Sequence, residues 1–412
     1  MKTAQKKFAI QHSITLSHLI RVLGLESLPE MPEDFWQEQR VQICVSDVEV
    51  LDGLEKEYAL LGSYYQPTRQ CAMAVAEDVT LCAWSNCIAS YIASHPFSSG
   101  TALVVPQPKG EAFDYYYLLI LASLIRGGID AYRARGFSEE EIRVALVPSV
   151  RDRVTISEEI RGASGLDRGG FNWLLHYAKA LVFPAGIFNI TPRVMYEPGI
   201  LLRHRISGEW AVLVLSGKFH RSGVQLGSGG CMDEEGAFDA TLFETEEALI
   251  GCAVSADARV FPERRVYLKA EWQEIARRGD GIVGIHIPRG ARLTEENIRE
   301  SFALAFRLSC ERYPEVNVRA VHCSSWILDP QLGGLLGAES KIAGFGNQFL
   351  RYPMGGDGTA VYHFVFCQSR PDDLTTLPED TTLQRKIKAL YLDGGCIYIT
   401  GGFVADDSLI KI

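Results

Sequence analysis

From about residue 270 the chain alternates between the two-residue period of strands and the 3.6-residue period of helices, which confines this part to a layered α/β arrangement. Residues 281–288 read as a strand, with Val283, Ile285 and Ile287 on one face and Ile282 and His286 on the other. Residues 294–313 read as a helix: Thr294 is its N-cap, Glu295 and Glu296 suit its dipole, and Leu293 is spaced to staple against Ile298. Residues 319–328, 362–367 and 396–400 have strand composition, and 271–277 reads as a short helix. Residues 381–393 form a further helix, opened by a Thr381–Gln384 capping box and stopped by Gly394.

The first 165 residues or so have a different, mainly helical character. Helical spacing is visible at 17–24 and at 112–135, where Gly127-Gly128 interrupts it. Ser138 and Glu141 form a capping box, and 157–159 reads as another helix start. A short strand pattern covers 102–106. The glycine-rich passage 162–170 is the expected boundary, giving a mainly helical domain over 1–165 and an α/β domain over 166–412. Beyond one more helix at 171–181, strands are expected at 200–204, 210–215 and 265–269. Residues 217–260 read as an insertion whose stretch 227–246 is a loop or hairpin.

Charge and composition narrow the function. Among 412 residues, Lys+Arg number 41 and Asp+Glu 51, a net charge of -10 that argues against nucleic acid or an anionic membrane as partner. A hydrophobic fraction of 47% excludes a disordered chain. The strongest apolar run, 115–125, is closed by Arg126 and is shorter than the ~20 residues of a membrane span. The basic start has no apolar stretch behind it, and the ten cysteines are scattered, so a cytoplasmic protein with reduced thiols is expected. Cys82 and Cys87, with Cys71 and His95 nearby, sit in an apolar helical pattern and read as core rather than zinc ligands; no metal is expected.

Phosphate-binding GxxxxGK[ST], GxSxG, HExxH and kinase motifs do not occur, and Gly227-Ser228-Gly229-Gly230 opens no helix after a strand. Two words stand out: Cys323-Ser324-Ser325-Trp326-Ile327-Leu328-Asp329-Pro330, and Leu377-Pro378-Glu379-Asp380-Thr381-Thr382-Leu383-Gln384-Arg385. With His286-Ile287-Pro288 and Gly165-Leu166-Asp167-Arg168-Gly169, they resemble a bacterial acyltransferase family in which a helical N-terminal domain precedes a GNAT-like C-terminal domain. The resemblance runs over roughly 165–405. It implies an α+β protein whose GNAT-like domain has a mixed, largely antiparallel sheet. It also implies acyl transfer from coenzyme A to a small-molecule amine.

In that family a glycine-rich turn before a helix holds the pyrophosphate. Here the turn is Pro288-Arg289-Gly290-Ala291-Arg292-Leu293-Thr294, so Arg289, Gly290, Arg292 and Thr294 are the expected acyl-CoA contacts. His286 is the expected base, Ser325 or Tyr352 the expected acid, and Cys323 a thiol that meets His286 if their strands present the same face. Val321 and Ile327 flank Cys323 and suggest an inert, apolar setting. Asp167 and Arg168 read as a turn with a local ion pair. Three functions are open: an acyl-CoA-dependent N-acyltransferase, a GNAT-like module that binds without chemistry, and a Cys/His thiol enzyme.

Overall fold

A computed structural model describes residues 43–95, 105–230, 233–337 and 339–410, and a few isolated positions before residue 43. Half of the helix expected at 17–24, where Ser17, Arg21 and Val22 are helical, and 102–104 of the strand expected at 102–106, lie outside the described residues. The chain divides into two compact units, Met1–Phe183 and Pro184–Ile412.

The first unit is helical: α1 (Val48–Tyr58), α2 (Tyr65–Glu77), α3 (Val79–Ser94), α4 (Tyr116–Ala134), α5 (Glu139–Arg161) and α6 (Arg168–Ala178). Its helices start where a side chain can take the first free N–H groups. Asp47, Asp78 and Asp167 cap α1, α3 and α6, and the Ser138–Glu141 box opens α5. The opening of α4 is buried on every side, from Tyr116 through Ala122, so this helix is the core of the unit. Its stretch Glu111–Ala134 is long and apolar enough to cross a membrane, although most of it is buried within the protein.

Several expectations change here. Gly127-Gly128 does not interrupt α4. A Cβ at Gly128 would stand 2.6 Å from the Ala178 carbonyl, so glycine lets α4 meet the end of α6. No helix starts at 157; α5 runs on to Arg161 with Pro148 inside it. Ser157 instead donates to Asp167 Oδ1 (3.0 Å), and Asp167 is a cap rather than a turn ion pair. Because α6 packs on α4 and α5, the units part after Phe183 rather than at the glycine-rich passage.

The second unit opens with β1 (Phe183–Ala185), β2 (Phe188–Val194), β3 (Gly199–His204), β4 (Trp210–Val214), β5 (Ser216–Phe219), β6 (Phe238–Thr241) and β7 (Phe243–Glu244). It continues through β8 (Ala248–Val254), β9 (Val260–Leu268), β10 (Trp272–Ala276), β11 (Gly281–His286), α7 (Glu295–Arg312) and β12 (Val318–Ser325). Short helices α8 (Gln331–Leu336) and α9 (Lys341–Gly346), then β13 (Phe349–Pro353), α10 (Thr359–Phe366), α11 (Thr382–Leu392) and β14 (Thr400–Val404) complete it.

The main sheet has the order β1-β2-β11-β12-β14-β13. Only β11 and β12 run parallel among the pairs with a described register, joined by α7 as the crossover. The sheet is therefore mixed and largely antiparallel, as expected. A second sheet, β10-β3-β4-β8-β7 with β9 on β8, is antiparallel. One core joins the two sheets: Leu201, Val212 and Val214 from the second meet Ile282, Ala320, Tyr352 and Phe403 from the first. The other face of the main sheet is covered by α7, where Phe188 stacks on Phe302 at 5.4 Å.

Three elements differ from their sequence reading. Residues 271–277 form β10, because pairing with β3 decides a segment too short to hold a helix alone. Residues 362–367 belong to α10. Val361, Tyr362, Val365 and Phe366 are buried at helical spacing, and a run of apolar residues reads equally well as a strand. The last strand starts at Thr400, where the reading at 396–400 ends. Within 217–260 only the β5–β6 ribbon stands apart; β8 is an inner strand of the second sheet, so the stretch is not an insertion throughout.

Candidate functional site

The geometry of interest lies where β11 and β12 end. Their ladder runs from Gly281↔Val318 to Ile285↔Cys323 and stops. His286, one residue further on β11, pairs only outward with Asn189 of β2. Ser324 and Ser325, further on β12, pair only outward with Gly401 and Thr400 of β14. Each strand is held by its outer neighbour, so the sheet parts at the parallel pair β11–β12.

The register fixes which side chains share a face. Gly284 lies beside His322 and Ile285 beside Cys323, so His286 shares its face with His322 and Ser324, whereas Cys323 and Ser325 occupy the opposite face. The expected meeting of His286 with Cys323 and Ser325 therefore does not form. Cys323 is buried, its thiol points to the Ile285 carbonyl (3.6 Å), and burial pushes its pKa up to about 12. Ser325 Oγ accepts the Ile327 N–H (3.3 Å) and caps a short 3₁₀ turn. His286 is half-buried, with Nε2 3.1 Å from Thr191 Oγ1.

Beneath the parted strands, on the His286 face, lies a buried polar network that the sequence reading missed. Arg193 grips both Glu197 oxygens, Nη1 at 3.0 Å from Oε2. Glu197 Oε1 stands 3.8 Å from His322 Nδ1, too far for a hydrogen bond. His322 Nε2 lies 2.7 Å from the Tyr352 hydroxyl. The Glu197 carboxylate favours a proton on Nδ1, the nitrogen that faces it, so Nε2 accepts the Tyr352 hydroxyl proton. Glu197, His322 and Tyr352 are each at most 1% exposed. Burial holds His322 neutral, with its pKa down at about 4. Burial also pushes the Glu197 carboxyl up, but Arg193 and His322 outweigh it and leave it below the ordinary carboxylate value. Tyr352 is thus locked into the core and has no solvent path as an acid.

Strand parity was the signal that could have found His322, since it sits on the reverse face of the Cys323 word. Arg193 and Glu197 gave none, because only the fold brings them to it.

The turn after β11 is built by its one glycine. Ala291 N–H donates to the Pro288 carbonyl (3.2 Å), and Gly290 takes φ +82 at the position where a type II turn favours glycine. Thr294 Oγ1 accepts the Asn297 N–H (3.3 Å) and caps α7. The first N–H groups of α7 have no partner within the helix and face an end that favours anions. Arg289, Gly290 and Arg292 are exposed on this turn, with Glu295 and Glu296 in the first turn of α7. Among the described residues no group of three or more His, Cys, Asp or Glu is placed to hold a metal ion. Cys71, Cys82 and Cys87 are buried in helices α2 and α3.

A parted parallel pair, a capped crossover helix and a mixed sheet are the arrangement expected of a GNAT-like domain. The model of the GNAT-like C-terminal domain family matches residues 232–404, so the chain carries a GNAT-like C-terminal domain. Among solved structures, the chain is similar to a point variant of an acyltransferase in complex with octanoyl-CoA: 17% identity, TM-score 0.62, 97% of this chain and 100% of that one. It is also similar to an acyltransferase in complex with CoA and 10C-teicoplanin (16% identity, TM-score 0.61, 95% and 99% of the two chains). A third similar structure is an acyltransferase in complex with decanoyl-CoA (16% identity, TM-score 0.61, 95% and 99%). At such identities the shared property is the fold, which extends over nearly the whole length of both chains. No curated protein matches the chain.

Proposed function

We propose that this protein is an acyl-CoA-dependent acyltransferase that acylates an amine of a small molecule. The observation that carries this reading is the end of the β11–β12 ladder at Ile285↔Cys323. Beyond it β11 and β12 no longer pair with each other, which suits the amide-bearing arm of coenzyme A lying between them as an added strand would. The turn and the α7 N-terminus lie directly after β11, where Arg289, Arg292 and free N–H groups suit a pyrophosphate. Glu295 and Glu296 oppose this and limit its strength. The acyl-CoA complexes of the similar structures support the same co-substrate.

In the reaction the acceptor nitrogen attacks the thioester carbonyl; a C–N bond forms and the C–S bond breaks. His286, at the mouth of the parting, takes the amine proton directly or through a water, and coenzyme A leaves as thiolate and is protonated by solvent. Buried reduced thiols such as Cys71 and Cys323 support a cytoplasmic setting.

Calorimetry with coenzyme A and acetyl-CoA tests the binding half: heat at micromolar to millimolar ligand is expected, and silence would favour a module without this chemistry. Thiol release from acetyl-CoA with a panel of small primary amines tests the chemistry. His286→Ala is expected to lower turnover by ~10²–10⁴ with coenzyme A binding retained. Unchanged turnover would remove His286 from the mechanism.

A further inference from the structure

β12 is an inner strand of the main sheet, with β11 on one side and β14 on the other. Its residues from Ala320 through Cys323 are buried accordingly, yet Ser324, still within the strand, is exposed. Two features uncover it. On one side the β11–β12 ladder has ended, and on the other Ser324 pairs with Gly401, which has no side chain to lie over it. The face shared by His286, His322 and Ser324 is therefore sealed at His322, which is 0% exposed, and opens one rung higher. Ser324 and His286 each follow the last rung, Ile285↔Cys323, so they stand level with each other across the parting. The Ser324 hydroxyl donates to Met354 Sδ (3.3 Å). That bond uses its proton and leaves the oxygen lone pairs as acceptors.

We propose that Ser324 is a second catalytic residue of this site, whose Oγ accepts one N–H of the acceptor amine while His286 takes the proton that is lost. The inference rests on the acyltransferase reading. His286 takes a proton directly only from an amine on its own face of the sheet, and Ser324 shares that face at the same level, whereas Cys323 and Ser325 lie on the opposite one. A primary amine brings a lone pair and two N–H groups. The lone pair forms the C–N bond, one proton passes to His286 as the C–S bond breaks, and the second hydrogen stays on nitrogen into the product amide. That second N–H needs an acceptor throughout, because an unpaired donor in a closed site is costly. On this face of β11 and β12, the side chains of Ile282, Gly284 and Ala320 offer no acceptor, and His322 is sealed beneath. Ser324 Oγ remains.

The test compares thiol release from acetyl-CoA with the fastest-reacting primary amine of the panel and with its N-methyl derivative, which has a single N–H to give to His286. Ser324→Ala is expected to lower kcat/KM for the primary amine ~3–10-fold, the worth of one hydrogen bond, and to leave the KM for acetyl-CoA and the kcat/KM of the secondary amine as in the parent. Ser324→Thr, which keeps the hydroxyl on a strand residue, is expected to retain the parent's ratio between the two amines. Ser324 is exposed, so both variants keep the parent's circular dichroism and its binding of coenzyme A. Equal losses for the two amines, or an unchanged ratio in Ser324→Ala, overturn the proposal and leave the acyltransferase reading standing. No thiol release with any primary amine overturns that reading and this proposal together.

Discussion

Tyr352 shows how tightly single residues are fixed in the second unit. A Cβ at Gly199 or Gly401 would fall inside the van der Waals envelope of its ring, so both glycines are there for close approach. Gly401→Ala is expected to destabilise the protein by about 1–3 kcal/mol, as overpacking of a dense core does. A lower urea midpoint checks this, and a midpoint equal to the parent's would mean that the ring has room to shift. His322 carries a second prediction. Its pKa in the folded protein is about 4, below the 6.5 of an exposed imidazole. The unfolded chain therefore binds more protons between those values. Stability from this group is complete above pH 6.5 and is lost as the pH falls toward 4, by roughly 3 kcal/mol at most. Glu197, also lowered, adds a loss below its ordinary carboxylate range. His322→Gln, which can still accept from Tyr352, should flatten the fall between pH 6.5 and 4. An unchanged slope would assign it to other groups.

At the scale of elements, the crossover β11–α7–β12 is held at its start by local chemistry. Thr294→Ala should lower stability by ~1 kcal/mol, while Thr294→Ser keeps the cap and the parent's midpoint. Equal midpoints for all three proteins would show that the cap contributes nothing. Caps of this kind were legible in the sequence: Thr294, Ser138 and Thr381 each open a helix as read, because capping is a contract between residues three apart. Strand and helix identity was less legible in short apolar stretches. α10 and β10 are both short, and the period of five to eight residues does not separate the alternatives. Facing was the hardest property to read. The parity of β11 against β12 separates His286 from Cys323 and Ser325, and parity is set by the register of strands joined through an intervening helix.

For the whole molecule, burial sorts the cysteines. Cys71, Cys87 and Cys323 are buried, with burial pushing each thiol to about 12, whereas Cys44 is exposed. Among the described cysteines, native-state alkylation followed by mass spectrometry should therefore modify Cys44 first. Cys71, Cys82, Cys87, Cys252 and Cys323 should react only after denaturation. Fast labelling of Cys323 in the folded protein would contradict its place in the core and revive the thiol-enzyme reading.

What the sequence determined by itself is whatever depends on neighbours along the chain. The helix starts, the change from a helical to a mixed unit, and the turn that needs Gly290 all belong to this class, since each is settled by residues within a few positions. The words around Cys323 and Thr381 added the GNAT-like resemblance of the C-terminal part. Only the tertiary structure decided what lies across strands: the parting of β11 from β12, and the network of Arg193, Glu197, His322 and Tyr352. These depend on register and burial, which are set when distant segments pair, and no local pattern of apolar residues encodes which distant polar group will be waiting on the shared face.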